Sequence, residues 1–251
     1  VSPVDAVLLI IAGLVAGGVN AIAGGGTLIM FPALVATGLP TVNAAVTNAV
    51  ALWPGYVGNV ASLGPQARRE SIARWPLAIY AVVGSLIGSA LLLGASKSTV
   101  DLVIPILVLG ASLVLAFQPR LRARLGARAD HDRPVVIALC VVGVGIYGGF
   151  FQGALGVILL AVLGIALSAP LAVVNALKGM LQLVVVSTNV VVFSIFGPVD
   201  WAVAALVAPA SLLGGVIGGH FARRADDSVL RRCVVVFGLA VSLWLGVRAL
   251  V

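Results

Sequence analysis

Residues 170–189 read PLAVVNALKGMLQLVVVSTN, an apolar run with Lys178 near its middle. No other Asp, Glu, Lys or Arg stands between Arg133 and Asp200. As a helix, a run of roughly 20 residues spans the ~30 Å hydrocarbon core of a bilayer. A cation at such depth costs roughly 2.5–3.5 kcal/mol on insertion scales. Neither Pro170 nor Pro198 is close enough to Lys178 to suggest a side chain that snorkels to a surface. The economical reading is a cation kept to meet an anion; the plainer one is a structural cap on carbonyls at a helix break.

Outward from this stretch the chain keeps the same character. It is 61% hydrophobic and 9% charged, where a soluble domain carries about a quarter charged residues. Ten apolar runs follow one another: about Ala6–Ala23, Thr27–Thr37, Val42–Leu63, Pro76–Leu93 and Val100–Phe117, then Val135–Phe151, Gly156–Ser168, Leu171–Phe196, Ala202–Phe221 and Val229–Arg248. They are continuously apolar, not alternating, which argues against a β-barrel. The expected fold is an all-α polytopic membrane protein. The first run has no basic n-region and leads straight into the next, so it does not read as a cleavable signal. The start at Val1 suggests loss of an initiator Met or a little more.

The two sets of five repeat each other. A shift of 130 positions superposes Gly13 on Gly143, Gly26 on Gly156, Pro40 on Pro170, Asn59 on Asn189, Gly84 on Gly214 and Ser98 on Ser228. Equivalent loops carry opposite charge patterns. The third-to-fourth loop is basic in the first half (Arg68, Arg69, Arg74), while its counterpart holds Asp200 and no cation. The next loop reverses this, with Lys97 alone against Arg223, Arg224, Arg231 and Arg232. Basic loops face the cytoplasm, so the repeats are expected to be inverted, an arrangement of many secondary transporters. The expected domains are a first repeat over 1–117, a basic cytoplasmic linker over 118–134 and a second repeat over 135–251. The second run of each half is short. It is either a crossing, giving ten in all, or the return arm of a hairpin near the glycine-rich break, giving six; merged segments would give eight.

Inverted-repeat carriers bind substrate near the midplane, at broken helices. The breaks here are Gly24-Gly25-Gly26 and its counterpart Ala154-Leu155-Gly156. The N–H groups after Gly26 suit an anion, although glycines also serve helix packing. Asn20 and Gln152 stand at the breaks; Thr47, Asn48 and Asn59 lie on the third run, and Asn175, Lys178, Thr188 and Asn189 on the eighth. Asn48 is the repeat partner of Lys178, so an amide and an ammonium are expected to face each other across the pseudo-twofold and replace a small oxyanion's hydration. Trp53, Tyr56 and Gln182 could line the path, with packing the favoured reading for each. Asn59 and Asn189 serve equally well as bonds between helices.

Several classes are excluded. All eight acids (Asp5, Glu70, Asp101, Asp130, Asp132, Asp200, Asp226, Asp227) fall in loops or at segment ends, so a cation path or a carboxylate proton relay lacks its usual group. There is no hydrolase motif, intramembrane acid pair or P-loop, and the chain does not read as an enzyme. Cys140 and Cys233 read as small core residues, and with His131 and His220 they form no metal set. No cofactor or metal is expected. The net charge of +7 is explained by topology, not by nucleic acid.

The stretch GLVAGGVNAIAGGGTLIMFPALVATGLPTVNAAVTN, residues 13–48, resembles the signature of the sulfite exporter TauE/SafE family. It has the glycine-rich break, the step from Leu28 to Pro32, the turn from Gly38 to Pro40 and the pair Thr47-Asn48. The second copy departs from it, with Leu177 where Thr or Ser is expected and no triple glycine. The resemblance covers the whole chain and implies a prokaryotic plasma-membrane carrier of small sulfur-containing anions such as sulfite or organosulfonates. Its partners would be that anion and the lipid bilayer, with oligomeric state open. An inside-negative potential is worth ~2.3 kcal/mol per charge per 100 mV and drives anions outward, which points to export by alternating access without a coupled ion. The alternatives are an importer or a carrier of another small anion, and a membrane scaffold that transports nothing.

Overall fold

Proline and glycine set the helix boundaries. Pro40 and Pro170, equivalent under the 130 shift, open their helices with nearly the same extended backbone, φ −57° and ψ 149° against φ −57° and ψ 144°. Proline suits this place because its missing N–H would have no helical partner there. At the other extreme of the chain, Ser2 caps the first helix. Its Oγ accepts the Asp5 N–H at 3.1 Å while its own N–H donates to the Asp5 carboxylate at 3.2 Å.

The structure, a computed structural model, describes residues 2–65, 69, 75–124, 134–167, 169–221 and 228–250. Among these it forms helices α1 (Pro3–Ile22), α2 (Thr27–Ala36), α3 (Thr41–Ala61), α4 (Leu77–Gly94), α5 (Lys97–Arg124), α6 (Pro134–Phe150), α7 (Leu155–Ala166), α8 (Leu171–Phe196), α9 (Trp201–Phe221) and α10 (Ser228–Leu250), and no strand. They fall on the ten apolar runs within a few residues, except that α5 continues through Arg124. Phe117 therefore does not end the helix, and Gln118, read as the start of a polar linker, is buried at 2% exposure. Arg68, Arg74, Arg128, Arg133, Arg223 and Arg224, which carry much of the loop-charge reading, lie outside the described residues, as does His131.

Five helices (α1, α4, α5, α8 and α9) are long and apolar enough to cross a membrane. Large apolar side chains stand exposed around the outside on nearly every helix, among them Ile79, Ile106, Leu139, Val191, Leu213 and Leu243. A soluble monomer does not sustain so continuous an apolar surface; hydrocarbon does. Cys233 is exposed on this surface and Cys140 half-buried, so neither is the core residue the sequence suggested. Helical cysteine beside lipid meets no penalty for exposure to an apolar solvent.

The helices cross-pack between the halves. α1 lies against α9, where Gly17 faces Ser211 and Gly215 and Gly214 faces Leu14 and Gly18 with no room for a Cβ. α4 lies against α6 in the same manner, Gly84 and Gly88 meeting Gly145 and Gly149. Such small-residue seams let backbones approach closely where no hydrophobic force drives helices together. α3 runs parallel to α9, with Gly55 at Gly215, Gly58 at Val216 and Ser62 at Gly219. It runs antiparallel to α8: Trp53 Nε1 donates to Ser187 Oγ at 2.8 Å, while Asn59 lies against Gly179. α5 and α10 are also antiparallel, Ser242 bonding to Pro105 and Gly238 facing Ser112.

α2 folds back on α1. Gly26 sits beside Ala16 and Asn20, and Ala33 and Ala36 share a groove with Val4 and Val7. Because α1 and α3 run the same way, with Gly17 beside Gly55, the α1–α2 pair is a hairpin whose ends emerge together. α7 likewise returns on α6, bringing Leu155 to Gly148.

Candidate functional site

The two hairpins meet tip to tip. A Cβ on Gly24 would come within 2.8 Å of the Gly156 Cα, and Gly24 holds φ +79°, a left-handed conformation that other residues rarely take. The second break achieves its turn without glycine at the strained positions. Gln152 has φ 68° and Ala154 φ 50°, each costing roughly 1–2 kcal/mol. Strain of this kind collects at functional sites.

Around this contact polar side chains are buried. Asn20 Oδ1 accepts the Gly26 N–H at 2.7 Å, and Asn48 Nδ2 donates to Thr27 Oγ1 at 3.4 Å. The Tyr56 hydroxyl turns toward Asn20 and Thr27. From the other half, the Gln182 amide lies over Gly156, where an added Cβ would come 2.8 Å from Nε2. Both amide atoms of Gln152, both of Gln182 and Asn48 Oδ1 find no hydrogen-bond partner among the described residues. Each such buried orphan costs about 1–3 kcal/mol. Tyr56 and Gln182, read from sequence as packing, thus belong to the centre of the site. The sequence signal that could have found Gln182 is its spacing, one helical turn beyond Lys178 on the same face of α8.

The structure separates Asn48 from Lys178. With α3 and α8 antiparallel, and Asn59 at Gly179, Lys178 lies level with the C-terminal turn of α3. Asn48 stands roughly a dozen residues of helical rise away, ~18 Å along the axis. Equivalence under the 130 shift does not bring the two into contact. Lys178 is 3% exposed and engages a contact of its own within the protein.

The remaining candidates divide by what occupies them. Thr47 Oγ1 accepts the Asp200 N–H at 2.9 Å and so anchors the turn before α9. Asn189 ties three helices together, its Oδ1 accepting from Ser85 and Ser89 and its Nδ2 donating to the Gly148 carbonyl. Asn59 is buried against α8, Asn175 is half-buried, and Thr188 bonds back to the Val184 carbonyl. The backbone N–H groups after Gly26 are largely committed, Leu28 to Gly25 O, and Ile29 and Met30 to Gly26 O. The second break closes similarly, Leu155 to Gln152 O and Val157 to Ala154 O. The polar groups left without partners near the breaks are the side-chain amides of Gln152 and Gln182, not these helix-end N–H groups. Gly25 packs on Leu115 and Val234. Among the described residues no group of three His, Cys, Asp or Glu could hold a metal.

Broken helices meeting inside an apolar, multi-helix body, with an orphaned polar cluster at the contact, define a multi-pass helical membrane protein of the transporter class. The chain belongs to the sulfite exporter TauE/SafE family, a family of membrane transporters, which it matches over residues 9–245. It is 28% identical to a probable membrane transporter protein of Haemophilus influenzae over 94% of this chain and 92% of that one. It is 26% identical to the probable membrane transporter protein ORF9 of a Sinorhizobium species, over 94% and 90%, and to the probable membrane transporter protein YfcA of Escherichia coli, over 96% and 90%. No solved structure matches the chain.

Proposed function

We propose that this protein carries small anions, sulfite or simple organosulfonates, out of the cell across a prokaryotic plasma membrane, by alternating access between two inverted repeats. The carrying observation is the pair of unpartnered buried amides of Gln152 and Gln182, one in the second break and the other over Gly156, where the hairpin tips touch. A desolvated oxyanion needs hydrogen-bond donors, and the two glutamine amides and the Tyr56 hydroxyl supply them. Lys178, one turn from Gln182, supplies the charge, and Asn20 and Thr27 hold the first tip in shape. Gln182 sits near the middle of α8, which is where a carrier's substrate site belongs.

The antiparallel pairing of α3 with α8, and the reciprocal pairings of α1 with α9 and α4 with α6, support the inverted relation. Hairpins that emerge where they entered favour three net crossings per half, and the basic character of 118–134 supports a cytoplasmic side for that segment. The name of the matched family supports sulfur anions as substrates, and the membrane potential supports export.

Efflux of labelled sulfite and of a short alkyl sulfonate from proteoliposomes, with wild type beside Lys178→Ala and Gln182→Leu, tests the reading. Both variants should fold, by elution volume and circular dichroism, and lose at least tenfold in rate. Equal rates in wild type and empty vesicles for every anion offered would support the scaffold alternative. Retained uptake without efflux would make the protein an importer.

A further inference from the structure

At one end of the antiparallel α5–α10 pair a surface groove of about 500 Å³ combines two chemistries. Its floor is apolar, from Ala116, Phe117, Val235 and Val236. Three arginines, Arg120, Arg231 and Arg232, complete its lining. Arg120 stacks over the Phe117 ring at 5.2 Å from its centroid, which holds the cation beside the apolar floor. The apolar span of α5 ends at Gln118, and that of α10 begins just past Arg232. The arginines therefore stand at the level where hydrocarbon gives way to headgroups.

The other end of the same helix pair is a natural control. A groove of about 380 Å³ lies there, lined by Leu102, Ile106, Leu109, Leu243 and Val247 among others, with no charged side chain. Two grooves between the same helices thus share an apolar floor and differ in charge.

We infer that the arginine-lined groove is a binding site for one anionic phospholipid, its phosphate held by Arg120, Arg231 and Arg232 and its acyl chain lying on Phe117 and Val236. Guanidinium forks match phosphate oxygens in geometry as well as charge, and basic pockets between membrane helices suit anionic headgroups. Guanidinium has five N–H donors, so stacking on Phe117, or a contact within the protein at Arg231, leaves donors for phosphate. Neither the charge of the lining nor the groove's position at the membrane boundary is required by the proposed transport site.

Native mass spectrometry of the delipidated full chain, titrated separately with phosphatidylglycerol and phosphatidylcholine, is the test. The expected result is one retained phosphatidylglycerol per protein, preferred at least tenfold over phosphatidylcholine. That preference should fall to within twofold in an Arg120→Gln, Arg232→Gln double variant and persist in Lys97→Gln at the opposite end. Equal retention of both lipids by wild type would overturn the proposal. So would loss of the phosphatidylglycerol adduct on adding millimolar inorganic phosphate, which would make this a free-anion site, or capture of an acidic peptide in its place. If the double variant does not fold, the wild-type lipid preference and the single Arg232→Gln variant, expected to weaken it severalfold, decide the matter.

Discussion

The two hairpin tips reach the same contact by different means. The first spends glycine: Gly24 takes φ +79°, and Gly26 lies so close to Ala16 that no side chain fits. The second spends strain, placing Gln152 and Ala154 in the left-handed region that glycine would occupy freely. What the second tip gains is a side chain at the turn. Gln152 is held there with both amide atoms unpartnered, something a glycine cannot offer. The first tip is the close-fitting wall and the second brings the amide. In the seams around them Gly84 and Gly88 of α4 match Gly214 and Gly218 of α9 under the 130 shift, whereas Gly17 of α1 stands where α6 has Tyr147.

Substitutions at the tips break or sharpen this contrast. Gly24→Ala should do most damage. It combines left-handed strain with a collision against the Gly156 backbone, which cannot yield as a side-chain end could. We expect a loss of about 3 kcal/mol or more, read from denaturation in detergent, with no measurable anion flux. Gly156→Ala carries no left-handed strain and presses first on the side-chain end of Gln182, 2.8 Å from the new Cβ, with the Gly24 Cα at 3.0 Å behind it, so about 1–2 kcal/mol of stability should be lost while flux falls tenfold or more. Comparable destabilisation by the two would remove the distinction between a backbone wall and a side-chain amide.

Gln182→Leu should separate stability from function. Removing an unpartnered buried amide should leave the fold unchanged or stabilise it by about 1 kcal/mol, as flux collapses; an unfolded variant would show that the amide is structural. The smallest effect is expected from Ala154→Gly. It relieves a left-handed alanine and should raise stability by at most about 1 kcal/mol, with flux near wild type in the same vesicles.

Much of this was legible before any coordinates. Hydropathy located ten helices, because membrane insertion is a sum over some twenty neighbouring residues and needs no knowledge of the fold. Gly24 to Gly26 announced a break, and the 130 shift paired Pro40 with Pro170, whose backbones agree. The amphipathic face shared by Lys178 and Gln182 was also present in the spacing, but one glutamine in an apolar helix looks the same whether it packs or binds. Thr47 and Asn189 show the converse. Their polarity was evident, yet only Asp200 and the Ser85–Ser89 pair reveal that protein groups already use them.

The sequence alone determined the solvent this protein lives in, the places where its helices stop, and the family it belongs to, since each is carried by local composition and order. Tertiary structure decided which polar groups share a site. The 130 shift relates Asn48 to Lys178 along the sequence, not by contact, and antiparallel α3 and α8 carry them apart. The same packing lays Gln182 over Gly156 because both lie near the level at which the two hairpins touch.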